Sequence, residues 1–190
     1  MNRTTTRSDK IIKSTRFWVE SVVVDLNLCP FAKQVLIDQT IRFSVTAAVD
    51  EEQLLDELQV ELALLDHDRS IETTLLIHPG VLQDFECYNQ FLECADQLLV
   101  QLDLEGVYQV ASFHPEYRFA NTDPDDPGNY TNRSPYPLLH LLREESLERA
   151  LVGYIGADQV PLRNIALMQS LGQEKLTALM QACLVDAGLE

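Results

Sequence analysis

The sequence predicts an α/β fold: a central βαβαβ sheet layer flanked by helices, followed by a C-terminal helical segment. Two observations carry this. Residues 41–47, 73–77 and 107–113 are short, apolar and rich in β-branched or aromatic side chains, as half-buried or buried strands are. The stretches between them repeat apolar residues in steps of three and four and are long enough to be crossover helices. Strands joined by such helices pair in parallel, and right-handed crossovers put the helices on a sheet face.

The elements follow in order. Residues 8–27 space Ile12, Val19, Val22, Val23 and Leu26 as a helix, with Ser8 available as a cap. The β-branched run Val22-Val23-Val24 weakens helical preference there, and Cys29-Pro30 ends the element because a residue before proline avoids the α region. Residues 41–47 alternate as a half-buried strand. Asp50 with Gln53 forms a capping-box pattern for a helix to about residue 66, whose face is Leu54, Leu58, Leu62 and Leu65. His78-Pro79-Gly80 stops the second strand. Phe85, Tyr88, Leu92, Ala95, Leu99 and Leu102 mark a helix over about 82–102, which Gly106 breaks before the third strand.

Ser134 as cap and Pro135 at the first helical position predict a helix from 136 to about Tyr154. Asp158 starts another to about Leu171, and Gly172 separates a last one ending near Ala187. The expected organisation is one domain over 1–190: an α/β core with N-terminal helix and loop over 8–135, and helices of 136–190 packed on it. A ferredoxin-like α+β arrangement with a partly antiparallel sheet is the competing architecture.

Bulk properties exclude several classes. The chain has 190 residues, is 46% hydrophobic and carries 30 acidic against 14 basic residues, a net charge of −16. A nucleic-acid binder needs a basic patch to neutralise phosphates, and no Lys/Arg cluster follows residue 16. No stretch approaches the ~20 apolar residues of a membrane span. The start, Met1 to Lys13, is polar and basic with no apolar core of a leader. The expectation is an acidic, cytoplasmic protein without nucleic-acid or membrane partners. Cys29, Cys87, Cys94 and Cys183 show no zinc-ligand spacing. Cys87, Cys94 and Cys183 fall in apolar helical patterns and read as core residues.

Chemistry-bearing residues gather around residues 114–136, where a long loop follows the third strand. Five of the chain's eight prolines lie between Pro115 and Pro137. Structureless segments of this length inside a compact domain are usually functional or disordered, and this one is rich in Tyr, Arg and amides. His78 and His114 occupy equivalent positions, each ending a strand before a proline. Ligands of parallel α/β sheets bind beyond the carboxyl ends of strands, and neighbouring strands are about 4.8 Å apart, so both imidazoles would reach one pocket. The alternative is that each caps its strand by bonding a loop carbonyl.

On the expected helix after the loop, Tyr136, His140 and Arg143 share one face. A third histidine beside the pair would complete a three-histidine metal site. Arg118 and Arg133 flank the loop, and two guanidiniums suit a carboxylate or phosphate, or the loop's own aspartates. His67, at a helix end, reads as structural. Cys29-Pro30-Phe31 resembles the helix start of thioredoxin-like enzymes, where a thiol is activated, but here it follows a helical pattern. Residues 123–129 lack the full ligand set of a calcium loop. GxGxxG, GxxxxGK[ST], GxSxG and HExxH are all absent.

Three segments together, Asn27-Leu-Cys-Pro-Phe-Ala32, Phe113-His-Pro-Glu-Tyr-Arg-Phe119 and Asn132-Arg-Ser-Pro-Tyr-Pro-Leu-Leu-His-Leu-Leu-Arg-Glu144, resemble the bacterial family called domain of unknown function 1415. The resemblance spans nearly the whole chain. It implies a compact cytoplasmic protein of about this size and implies no activity.

The expectation for function is a small-molecule enzyme with a His-based site under the 114–136 loop, acting on an anionic substrate, with or without a divalent transition metal. His78 and His114 would be the acid/base pair, or metal ligands with His140 as the third. Tyr117 or Tyr136 would donate to a developing oxyanion, and Cys29 would be nucleophile or fourth ligand. Arg118, Arg133, Asn132, Tyr136 and Arg143 would hold the substrate. The rival is a non-catalytic protein- or metal-binding module.

Overall fold

The computed structural model describes residues 6–152 and 156–185. The first helix, α1 (Arg7–Trp18), is capped by Thr6: its hydroxyl accepts from the Asp9 N–H while the Asp9 carboxylate accepts from the Thr6 N–H. The helical run does not stop at Trp18 but widens into a π-helix over Val19–Val24, the region of β-branched residues. Asn27, in the left-handed conformation at φ 53°, closes it, as asparagine can at a helix C-terminus. A short helix α2 (Ala32–Ile37) leads into β1 (Ile41–Val45). Then come α3 (Glu51–His67), β2 (Thr73–Ile77), α4 (Phe85–Gln101) and β3 (Tyr108–Phe113). Asp50 and Asp84 cap α3 and α4 through the N–H groups of Gln53 and Cys87, filling donors that a helix start leaves open.

The α/β class with a C-terminal helical segment holds, with two corrections. Residues 138–143 do not form a helix; they are a strand, β4 (Leu138–Arg143), followed by a helix α5 (Glu144–Leu151). The expected ends at Tyr154 and Ala187 lie outside the described residues. The second correction concerns the sheet, whose order is β1-β2-β4-β3. β1 and β2 are parallel, but β4 inserts antiparallel between β2 and β3, with His140 opposite both Leu75 and Ala111. The physical reason is two-sided burial. Leu138, Leu139, Leu141 and Leu142 all sit in the core, as in a central strand, and a short apolar run has no period that separates strand from helix.

Each sheet face carries its own helical layer. Leu76, Leu139 and Leu141 pack on Leu54, Leu58 and Leu62 of α3 and Tyr88, Phe91 and Ala95 of α4. Leu75, Ile77 and Leu138 face Ile11, Trp18, Val19 and Val22, together with Met168 of α6 (Val160–Leu171) and Leu176 and Cys183 of α7 (Gln173–Val185). Each such leucine contributes roughly 2 kcal/mol through burial. At the edge, Arg42 of β1 forks onto Glu61 of α3 at 2.7 and 2.9 Å, and Ser44 adds a third bond. Cys183 is buried, but Cys87 and Cys94 are exposed; the buried stripe of α4 runs through Tyr88, Phe91, Ala95 and Leu99 and leaves both thiols beside it.

Candidate functional site

His78 and His114 do lie beyond the ends of β2 and β3, on the α4 side. β4 stands between those strands, so they meet through Tyr88 rather than directly. The Tyr88 ring is 5.7 Å from the His78 ring and 5.1 Å from that of His114. The Tyr88 hydroxyl donates to the Leu138 carbonyl and accepts from the Phe113 N–H, both at 2.9 Å. Both histidines are fully buried.

Their hydrogen bonds assign their tautomers. The Glu116 N–H donates to His114 Nδ1, so Nε2–H donates to the Leu82 carbonyl at 3.2 Å. His78 Nδ1–H donates to the Val81 carbonyl at 3.0 Å, and its Nε2 has no partner among the described residues. Burial pushes the His78 imidazole down to about 4, against the help of the Val81 bond, and lowers His114 as well. Leu82 has φ 56°, a strained conformation for a leucine. The two histidines hold the carbonyls of that turn.

The loop after β3 is tied mostly to itself. Asn129, fully buried, accepts from the Phe119 N–H and the Thr122 hydroxyl and donates to the Asp123 carbonyl. Arg133 donates to the carbonyls of Tyr117 and Pro124 and lies 4.4 Å over the Tyr130 ring. Asn132 donates to Ser112 and its carbonyl receives the His114 N–H. Tyr117 packs edge-on to Phe85 and Phe119. Arg118 pairs with Glu86 of α4. A cavity of about 490 Å³ lies here, lined by Arg118 and Arg133 but also by Asp84, Glu86, Glu116 and Asp125.

Three other residues with expected site roles lie elsewhere. Arg143 is buried at the far end of β4, where it donates to the Leu65, Asp68 and Ile71 carbonyls and the Tyr108 hydroxyl. Tyr136 packs against the cluster around Trp18. His140 points to the sheet face opposite His78 and His114, beside Phe113. The three histidines therefore do not gather, and among the described residues no three His, Cys, Asp or Glu side chains are placed to hold a metal ion.

On that opposite face His140 shares a cavity with Cys29. The cavity, about 60 Å³, is lined by Trp18, Val19, Val23, Phe31, Val35 and Phe113 among others, with Cys29, Thr73 and His140 as its thiol, hydroxyl and imidazole. Thr73 spends its proton on the Leu141 carbonyl at 2.6 Å, so His140 Nε2–H donates to the Thr73 oxygen at 2.7 Å. Nδ1 is then the basic nitrogen. Burial holds His140 down to about 4, so it is uncharged at neutral pH. Burial pushes the Cys29 thiol up, against backbone N–H bonds from Phe31 and Ala32. A neutral thiol and a neutral base thus line one cavity, with a threonine fixing the imidazole tautomer. Trp18, buried at 2% exposure, has no partner for its indole N–H among the described residues.

Sequence reasoning missed Trp18 and Thr73. The only signals were a lone tryptophan on an apolar helix face and a threonine opening a buried strand, and neither shows which sheet face it meets.

The fold and this site define an α/β protein with a mixed four-stranded sheet and a thiol–imidazole cavity under its N-terminal helical run. The chain belongs to the family described as protein of unknown function DUF1415, whose model matches residues 10–178. No curated protein and no solved structure matches it.

Proposed function

We propose that this protein is a small-molecule enzyme with a His-based site in which Cys29 is the nucleophile, His140 its general base and Thr73 the group that orients His140. The observation that carries the reading is the shared cavity. A half-buried thiol, an imidazole and the threonine that orients it line one small, largely apolar space. Activation of a nucleophile by an adjacent base, itself oriented by a third group, is the general logic of such sites. His78 and His114 are less suited to proton transfer. Both nitrogens of His114 are engaged by the backbone, and His78 is sealed in the core.

Site-resolved alkylation tests the reading. Iodoacetamide should modify Cys29, and mass mapping must separate it from the exposed Cys87 and Cys94. The Cys29 rate at pH 7 should fall about 10²-fold in His140→Ala, the usual scale for loss of a general base. An unchanged rate in that variant, or a Cys29 that stays unmodified in the folded protein, rejects the site.

A second reading keeps the ligand under the loop, as a small anion in the 490 Å³ cavity between Arg118 and Arg133. The cavity itself favours it. The four carboxylates lining that space and the partners already held by both arginines weigh against it. Calorimetric titration with a dicarboxylate, compared with Arg118→Ala, separates the two.

A further inference from the structure

We infer that the substrate of the Cys29 cavity is an uncharged carbonyl compound, an ester or thioester with a short apolar acyl group, whose carbonyl oxygen is received by the Trp18 indole N–H. The inference rests on the thiol–imidazole reading above and gives it a substrate class.

Three independent observations lead there. The first is the lining. Among the described residues, no Lys, Arg, Asp or Glu borders the 60 Å³ cavity. A second cavity of about 270 Å³ shares Val23, Cys29 and Phe113 with it and adds Leu28, Phe119, Asn132, Asn164 and other uncharged residues. An unpaired charge is strongly disfavoured in such surroundings, so the ligand is neutral. The second is position. Cys29 lines both cavities, which places the thiol where two halves of a molecule would meet, a short chain in the small cavity and a bulkier leaving group in the large one.

The third is Trp18. An indole N–H can only donate. Buried donors nearly always have an acceptor; among the described residues this one has none, and Trp18 is one of the residues lining the Cys29 cavity. A carbonyl oxygen that becomes an oxyanion is the acceptor such a donor serves best.

The chemistry balances with water as the second substrate. His140 Nδ1 takes the Cys29 proton as the sulfur bonds to the acyl carbon. The resulting oxyanion collapses, the bond to the leaving oxygen or sulfur breaks, and His140 returns the proton to that group. Water then attacks the acyl-thiol, losing a proton to His140, and Cys29 is regenerated as a thiol with release of a carboxylic acid. The acid ionises at neutral pH and is no longer suited to an uncharged cavity.

The test uses the full chain with p-nitrophenyl acetate, butyrate and octanoate and the anionic p-nitrophenyl hemisuccinate. Butyrate should give a burst of p-nitrophenolate and an acyl group on Cys29 by peptide mapping. Hemisuccinate and octanoate should react at least tenfold more slowly, and Cys29→Ser should abolish the burst. Trp18→Phe should slow acylation about 10²-fold, the scale of one lost oxyanion donor, well beyond its effect on iodoacetamide alkylation, which develops no oxyanion. If Trp18→Phe does not fold, the ester series on the natural chain still decides. No acyl-Cys29 from any neutral ester, with His140-dependent alkylation intact, overturns the substrate class and leaves the thiol–imidazole reading standing. Equal reaction of hemisuccinate and butyrate overturns it as well. Loss of the His140-dependent alkylation overturns both.

Discussion

His78 and His140 give up their charge to burial on opposite faces of one sheet, and the consequence for stability has a definite sign. Each is held down to about 4 in the fold from an ordinary 6.5. Between those values the unfolded chain binds a proton that the native chain refuses, so stability is full above about pH 6.5 and falls as the pH drops towards 4. Each group contributes on the order of 3 kcal/mol over that window. Glu61, held below the usual carboxylate range by Arg42 and Ser44 despite its burial, adds its own loss only at lower pH. The urea midpoint should therefore drop clearly between pH 7 and pH 5, with a shallower slope in His140→Gln, which cannot titrate. The same midpoint at both pH values would show that these imidazoles are not buried in neutral form.

Among the elements, the end of α3 shows how a residue read as a ligand-holder becomes a structural one. The last carbonyls of a helix lack intrahelical donors, and the Arg143 guanidinium reaches the Leu65, Asp68 and Ile71 carbonyls from β4 while lying 5.6 Å over the Tyr108 ring. Arg143→Ala should cost about 2–4 kcal/mol by chemical denaturation. Lysine, without the planar fork, should recover only part of it. A loss under about 0.5 kcal/mol, typical of a surface site, would contradict this account. The same strand marks the limit of what the chain reveals locally. The caps Asp50 and the faces of α3 and α4 are written in short-range spacing and were legible. β4 was not, because Leu138 to Leu142 has no informative period, and its strand state comes from burial between β2 and β3. That insertion also keeps the strands of His78 and His114 apart. The His pair was legible as two strand ends, but the assumption that their strands touch failed. Whether Cys29 meets His78, His114 or His140 depends on which sheet face each occupies, a property of the whole chain.

At the scale of the molecule, both regions flanking the sheet-forming stretch build one roof. α1 and the π-helix cover the face bearing His140, and α6 and α7 close the same cluster through Met168, Leu176 and Cys183. Next to the thiol, side chains of α6 make the join. Asn164 of α6, mostly buried, donates to the Leu28 carbonyl at 2.7 Å, one residue before Cys29. Arg163 donates to the neighbouring Asn27 carbonyl. A roof docked along an edge can lift without the sheet unfolding, because local openings need less free energy than global ones. Asn164→Ala should thus separate two measurements. Global stability should fall by about 1 kcal/mol, the net worth of one hydrogen bond, and Tyr130, which meets Thr177 of α7 at 2.9 Å, should still hold the helices. Alkylation of Cys29 should rise several-fold more than that loss predicts, since it follows the opening of the α6 edge. If alkylation and global unfolding instead change in strict proportion across urea, the thiol is reached only through unfolding. The two helical layers then form one cooperative unit with the sheet, and Cys29 has no path to a substrate in the native state.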